Sequence, residues 1–259
     1  MLEIVQIPVL QDNYIWLVHT EDKYTAVIDP AVSKPVLKEL KKRNWKLTHI
    51  LNTHHHPDHT GANLELKEVT GCTIVGSKSD YKRIPGIEIK VSDGDKFNLG
   101  KVNCHVFGLP GHTTGHIAFH FNSSNALFCG DTLFSLGCGR VFEGTMQEML
   151  NSLNKIKKLP ENTNIYCAHE YTQSNGIFAL TIDPKNKDLI SQMETVKEKR
   201  RKNISTIPST LGHEIKTNPF LRTDNSEIKK NLKLLHTSTA IETFSVMRKL
   251  KDSFKYENN

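Results

Sequence analysis

The chain has 259 residues, of which 37% are hydrophobic and 24% charged, and its formal net charge is +6. That length builds one large domain, or a main domain with a smaller companion, and either buries a core that needs no disulfide. No apolar run approaches the ~20 residues that span a bilayer, which excludes a membrane-spanning helix, and five cysteines without a C-x-x-C pair exclude a disulfide scaffold and point to reduced thiols in a cytosol.

Residues 1–6 lack a basic leader, so no signal peptide is expected. Short apolar runs bounded by turns then predict strands over 3–9, 14–19 and 25–28, a helix over 34–43 and a strand over 48–51. A histidine-rich loop follows, and after it the pattern predicts a short helix over 61–69 and strands over 73–75, 87–91, 102–109, 117–121 and 126–129. Apolar spacing gives a helix over 145–159, and 164–167 is one more strand. Strands interleaved with helices indicate an α/β core. Beyond residue 168 the chain becomes polar, lysine-rich and poor in strands, with helices expected over 184–202 and 224–235 and a helical appendage reaching 254. Residues 1–170 carry eighteen basic and eighteen acidic side chains, and the remainder sixteen and ten, so the whole charge excess lies in the last third. Such a bias attracts anionic ligands.

The loop His54-His55-His56-Pro57-Asp58-His59 carries most of the chemistry, since His54, His56, Asp58 and His59 form an H-x-H-x-D-H run of nitrogen and oxygen donors. Imidazole mixed with carboxylate suits a catalytic transition-metal site. Adjacent donors such as Asp58 and His59 point in different directions, so two ions fit the loop better than one. Three further passages repeat the order apolar strand, turn, donor, and they end on His112, Asp131 and His169.

The phrases T-H-H-H-P-D-H-T-G at 53–61, P-G-H-T at 110–113, G-D-T at 130–132 and A-H-E at 168–170 resemble the metallo-β-lactamase superfamily. More narrowly, Asp12-Asn13-Tyr14, the stretches at 129–134 and 137–140, His169-Glu170-Tyr171-Thr172 and the tail at 248–254 resemble the hydroxyacylglutathione hydrolase, or glyoxalase II, family over essentially the whole chain. The resemblance implies a four-layer αβ/βα sandwich over residues 1–170 and a helical substrate-binding domain over 171–259. It implies one ion on His54, His56 and His112, a second on Asp58, His59 and His169, and Asp131 bridging the two. Asp29 resembles a residue that orients these ligands from behind, although a turn carboxylate before Pro30 reads the same way. Zinc leads as the metal, and iron or manganese suits the same donors.

The implied reaction is hydrolysis of S-D-lactoylglutathione to D-lactate and glutathione by a metal-bound hydroxide, with Asp58 also orienting the nucleophile. Arg140, Arg248 and Lys251 match glutathione-contacting positions of the family, and Tyr171 and Asn175 would add a phenol and an amide. Phe142 stands where a tyrosine is often found, so a phenol contact is lost there. The expected protein is a cytoplasmic monomer acting on a small thioester.

Some residues invite other readings. His55 should point away from the ions in an extended loop, and His116 is expected to pack or to hydrogen bond. An H-E-x-x-H motif fails at Gln173. Two rival functions use the same donors. A phosphodiesterase or nuclease would need clustered cations with aromatics for stacking, and the lysine-rich tail is nearly aromatic-free apart from Phe220, Phe244, Phe254 and Tyr256. An iron sulfur dioxygenase would use one ion, against the complete second set.

Overall fold

The computed structural model describes residues 2–255, folded around two six-stranded sheets. The first runs in the order β1 (Leu2–Val9), β2 (Asn13–Thr20), β3 (Thr25–Ile28), β4 (His49–Leu51), β5 (Thr73–Ser77) and β6 (Ile89–Val91), antiparallel as far as β3 and parallel beyond it. Parallel neighbours need crossovers. Two of these carry helices, α1 (Ser33–Arg43) between β3 and β4, and α2 (Pro57–Thr60) with α3 (Asn63–Thr70) between β4 and β5. The second sheet joins β7 (Lys96–Leu99), β8 (Val102–Gly108), β9 (Ile117–Phe121), β10 (Ala126–Gly130), β13 (Asn164–Cys167) and β14 (Ser209–Thr210) in that spatial order, with β10 and β13 its parallel pair. A separate hairpin, β11 (Leu133–Phe134) with β12 (Gly137–Cys138), lies between β10 and β13 in the chain.

Period-two alternation decides which face each side chain serves. Ile15 and Leu17 of β2, with Val27 and Ile50, pack outward on Val36 and Leu40 of α1 and Leu66 of α3. Their neighbours Tyr14, Trp16, Val18, Ala26 and Ile28 face the second sheet and share a core with Phe119, Phe121 and Phe128. The same core takes in Met149, Leu150 and Leu153 of α4 (Met146–Ile156), whose start is fixed by a capping box between Thr145 and Glu148. Helices α5 (Thr172–Ile182), α6 (Lys187–Arg201), α7 (Leu211–Thr217), α8 (Ser226–Asn231) and α9 (Ala240–Ser253) complete the chain. Phe178, Phe220, Phe244 and Met247 from this region enter the main core. The four-layer αβ/βα architecture expected from the sequence is the one observed.

Several elements differ from expectation for local reasons. The helix expected from 184 starts at Lys187, because the Asn186 side chain accepts from the backbone N–H groups of Asp188 and Leu189. The one expected over 224–235 shortens to α8, capped likewise by Asn225. Helix α5 was not expected, since Ser174, Asn175 and Gly176 are poor helix formers. Its packing supplies the reason: a Cβ on Gly176 would meet Met193 Sδ of α6 at 1.9 Å, so glycine lets the two helices close. Strand β7 and the β11–β12 hairpin are too short for a periodic signal. All five cysteines are buried and unpaired. Among the described residues no helix is long and apolar enough to cross a membrane.

Candidate metal centre

Four strand ends converge on one point. Strand β4 runs into Asn52, Thr53 and the buried His54, and Pro57 at the first position of α2 turns the chain so that Asp58 and His59 follow within one helical turn. This hairpin is pinned from behind. Asp29 accepts from the Thr53 N–H and hydroxyl, both at 2.7 Å, and Asn52 Nδ2 donates to the His59 carbonyl at 2.9 Å. Asp131 follows β10 directly, after Gly130 at φ 48°, where a Cβ would meet Thr53 Oγ1 at 2.3 Å. Glycine alone permits that approach.

His54, His56 and His112 place their donor atoms within 4.8 Å of one another, and so do Asp58, His59 and His169. His56 Nδ1 lies 3.0 Å from His54 Nε2 and 3.1 Å from His112 Nε2. Asp131 stands between the two sets, with Oδ2 at 3.5 Å from His112 Nε2 and 3.4 Å from His169 Nε2, and Oδ1 at 3.6 Å from His59 Nε2. A third close group, Asp29 with His54 and His59, shares residues with both sets. Asp29 is already committed to Thr53, and its Oδ2 is 3.0 Å from His59 Nδ1, a contact that fixes the orientation of the His59 ring.

Four of the five imidazoles have their outer nitrogen engaged, that of His59 by Asp29. His54 Nδ1 meets Thr53 Oγ1 at 3.1 Å, His112 Nδ1 meets the Arg140 carbonyl at 2.8 Å, and His169 Nδ1 meets Asp12 Oδ1 at 2.8 Å. Each of these rings therefore turns Nε2 inward. Two inward atoms, His59 Nε2 and Asp131 Oδ1, are fully buried without a hydrogen-bond partner. Burying such atoms unsatisfied is costly, and a divalent cation would satisfy both. Charge agrees with geometry. Burial alone would raise the Asp131 carboxyl, but the His169, His59 and His112 imidazoles hold it far below the usual range. Burial alone would lower His169, yet Asp131 and Asp12 push it up to about 9. The carboxylates thus demand positive charge that a bound cation would supply while releasing protons.

His55 points away from the cluster toward Asp80, 3.3 Å from its Nδ1. His116 stacks on His54 with centroids 4.8 Å apart and accepts from the Asp131 N–H at 3.1 Å. Asp12 and Asn13 escaped the sequence reading as site residues. Asn13 Nδ2 donates to Asp58 Oδ2 at 3.0 Å, so the turn between β1 and β2 braces one residue of the second set while Asp12 braces another. The Asp12-Asn13-Tyr14 phrase was legible, but its partners lie up to 157 residues away.

A cavity of about 500 Å³ opens from His112 and Asp131 and is lined by Arg140, Phe142, Tyr171, Asn175, Arg248 and Lys251. These six residues are not equally free. Asn175 is buried and donates to the Ser135 carbonyl at 3.2 Å, while buried Arg248 donates to the Cys138 carbonyl at 2.8 Å and pairs with Asp252 at 3.0 Å. Both spend donors on the loop that leads to Arg140. Tyr171 stacks nearly parallel on His169 at 4.8 Å. Burial, with Arg248 and Arg140 nearby, lowers the Lys251 ammonium to about 8.

The family model described as the metallo-beta-lactamase superfamily matches residues 9–169, and that of the hydroxyacylglutathione hydrolase C-terminus matches residues 170–254. A protein of Methylococcus capsulatus named hydroxyacylglutathione hydrolase is 51% identical, over 98% of this chain and 100% of its own length. One of Rhodospirillum rubrum with the same name is 48% identical, over 98% and 99%. Among solved structures, ETHE1 from Myxococcus xanthus superposes with a TM-score of 0.68 at 23% identity, over 97% of this chain and 95% of that one. TTHA1623 in a di-iron-bound form superposes with a TM-score of 0.62 at 24% identity, over 85% and 100%.

Proposed function

The chain belongs to the hydroxyacylglutathione hydrolase family within the metallo-β-lactamase superfamily and is a metal-dependent thioester hydrolase, and we propose that it cleaves S-D-lactoylglutathione to D-lactate and glutathione using two ions. His54, His56 and His112 would hold one ion, Asp58, His59 and His169 the other, with Asp131 shared between them. When bound, divalent ions acidify water and polarise a carbonyl near neutral pH. Zinc is the first candidate for these donors. The observation that carries the reading is that the donor cluster and the cationic cavity share His112 and Asp131 as a common wall.

The chain's own residues do the rest. Asp58, half-exposed and held by Asn13, would orient the attacking water as well as bind metal. Arg140 and Lys251 attract the carboxylates of the glutathione moiety, and Tyr171 and Phe142 wall the cavity. The departing thiolate is a good leaving group, so no strong general acid is needed. Five buried thiols suit a reducing, cytoplasmic setting.

The test is one comparison. Purified protein should turn over S-D-lactoylglutathione and leave a phosphodiester untouched, and the reverse result would transfer the chain to the phosphodiesterases of this fold. His112→Ala and Asp131→Ala should each lower the bound metal below two equivalents by elemental analysis and abolish turnover.

A further inference from the structure

Behind the metal cluster lies a second polar cluster that the reaction does not use, and Glu143 is its hub. Its carboxylate accepts from Arg83 Nη2 at 3.1 Å, from the Thr114 N–H at 2.9 Å and from the Thr114 hydroxyl at 3.0 Å. It also lies 3.5 Å from His55 Nε2. Burial alone would raise this carboxyl, but Arg83 and Thr114 hold it down to about 2. Arg83 reaches on to the buried Asp80, which also meets His55 Nδ1 at 3.3 Å.

The hub joins three segments that build the site. His55 stands between His54 and His56, Thr114 follows His112 by two residues, and Glu143 follows Arg140 by three and Phe142 by one. The backbone adds a zipper, with the Phe142 and Glu143 N–H groups donating to the His112 carbonyl at 3.2 and 3.3 Å and Gly144 donating to Gly111 at 3.2 Å. His112 has anchors of its own nearby, since Ser152 Oγ donates to the Pro110 carbonyl at 2.7 Å and the Leu109 N–H to His116 at 2.8 Å. Phe142 has far less. Its ring is 61% exposed and meets His112 and His56 edge-on, so its position follows from its backbone.

We propose that Glu143, braced by Arg83, is a positioning residue that fixes Arg140 and Phe142 over the metal cluster and so sets the affinity for the thioester. This rests on the reading that those two residues face the glutathione thioester. Neither Glu143 nor Arg83 touches the reacting atoms. The carboxylate acts by neutralising Arg83 while accepting from Thr114, and an amide does only the second.

The test uses the metal-loaded full chain with Glu143→Gln, Arg83→Gln and the double variant. Each single variant should raise KM for S-D-lactoylglutathione about tenfold, with kcat within about twofold and metal content unchanged. The double variant should raise KM no further, because both substitutions break one unit. A merely structural role would reduce the folded fraction and hence kcat, leaving KM in place. Hydrogen exchange supplies an activity-free readout: the Phe142, Glu143 and Gly144 amides should exchange faster in the variants, while those of β10 and β13 keep their protection. Unchanged KM, additive effects or unchanged exchange at 142–144 would overturn the proposal. A parent protein inactive on the thioester would sink the proposed substrate instead, and exchange would still decide on the brace.

Discussion

Lys251 is the residue whose chemistry the structure changes most. On the sequence it belongs to a lysine-rich tail that, without the family resemblance, reads as a solvated helix face. In the fold its ammonium stands over the Phe178 and Phe254 rings at 5.7 and 5.3 Å and beside two arginines, and burial lowers it to about 8. Below that pH it is cationic and attracts a carboxylate, and above it the charge is lost. The expected outcome is a fall in kcat/KM above about pH 8, carried by KM, and Lys251→Arg should remove that limb because a guanidinium stays charged. A limb that persists in the arginine variant would assign it to another group. Arg248 and Asn175 teach the converse lesson. The family resemblance implied substrate contacts for both, yet both give donors to backbone carbonyls of the loop before Arg140, so part of their role is to shape the cavity wall. Which of a side chain's donors remain free depends on neighbours more than a hundred residues away in the chain, as with Arg248 and Cys138, and no spacing rule reports them.

At the scale of the element, each strand end that carries a donor was visible because apolar run, turn and donor are contiguous in the chain. What the turn between β1 and β2 braces was not. The turn contains no metal-ligand type beyond a single carboxylate, yet it runs beside the end of β13, where the Glu170 N–H donates to the Asp12 carbonyl at 2.9 Å and Asp12 reaches His169. A carboxylate behind a ligating imidazole fixes its tautomer and raises its basicity. Asp12→Asn should therefore weaken metal binding about 10- to 100-fold, measured by competition with a chromophoric chelator, while the far-ultraviolet circular dichroism stays that of the parent. Equal metal affinity in the two proteins would mean that the packing of Tyr171 on His169 is what orients the ring.

For the molecule as a whole, the question is how the C-terminal helices are coupled to the sandwich. One link is Glu214 of α7, fully buried, which accepts from Ser135 Oγ at 2.9 Å, the Leu136 N–H at 2.8 Å and Asn218 Nδ2 at 3.1 Å, beneath the β11–β12 hairpin where Leu136 takes a positive φ of 58°. Burial raises its carboxyl despite these bonds. A carboxyl raised on folding contributes its full stability below the unfolded value of about 4.3 and loses it as pH climbs through the folded value. Glu214→Gln should then gain melting temperature relative to the parent at pH 8 compared with pH 5, and an equal difference at both pH values would mean that the group does not titrate in this range. The amino-acid sequence by itself determined the alternation that sorts side chains between two sheet faces, the seven candidate donors, and the absence of a C-x-x-C pair among the five cysteines, because each is written in local period or residue type. Only the tertiary structure decided how closely Asp131 approaches each donor set, that Asp12 and Asn13 brace them, and that Glu143 ties three loops together, because those contacts are set by how the two sheets pack, and chain separation hides them.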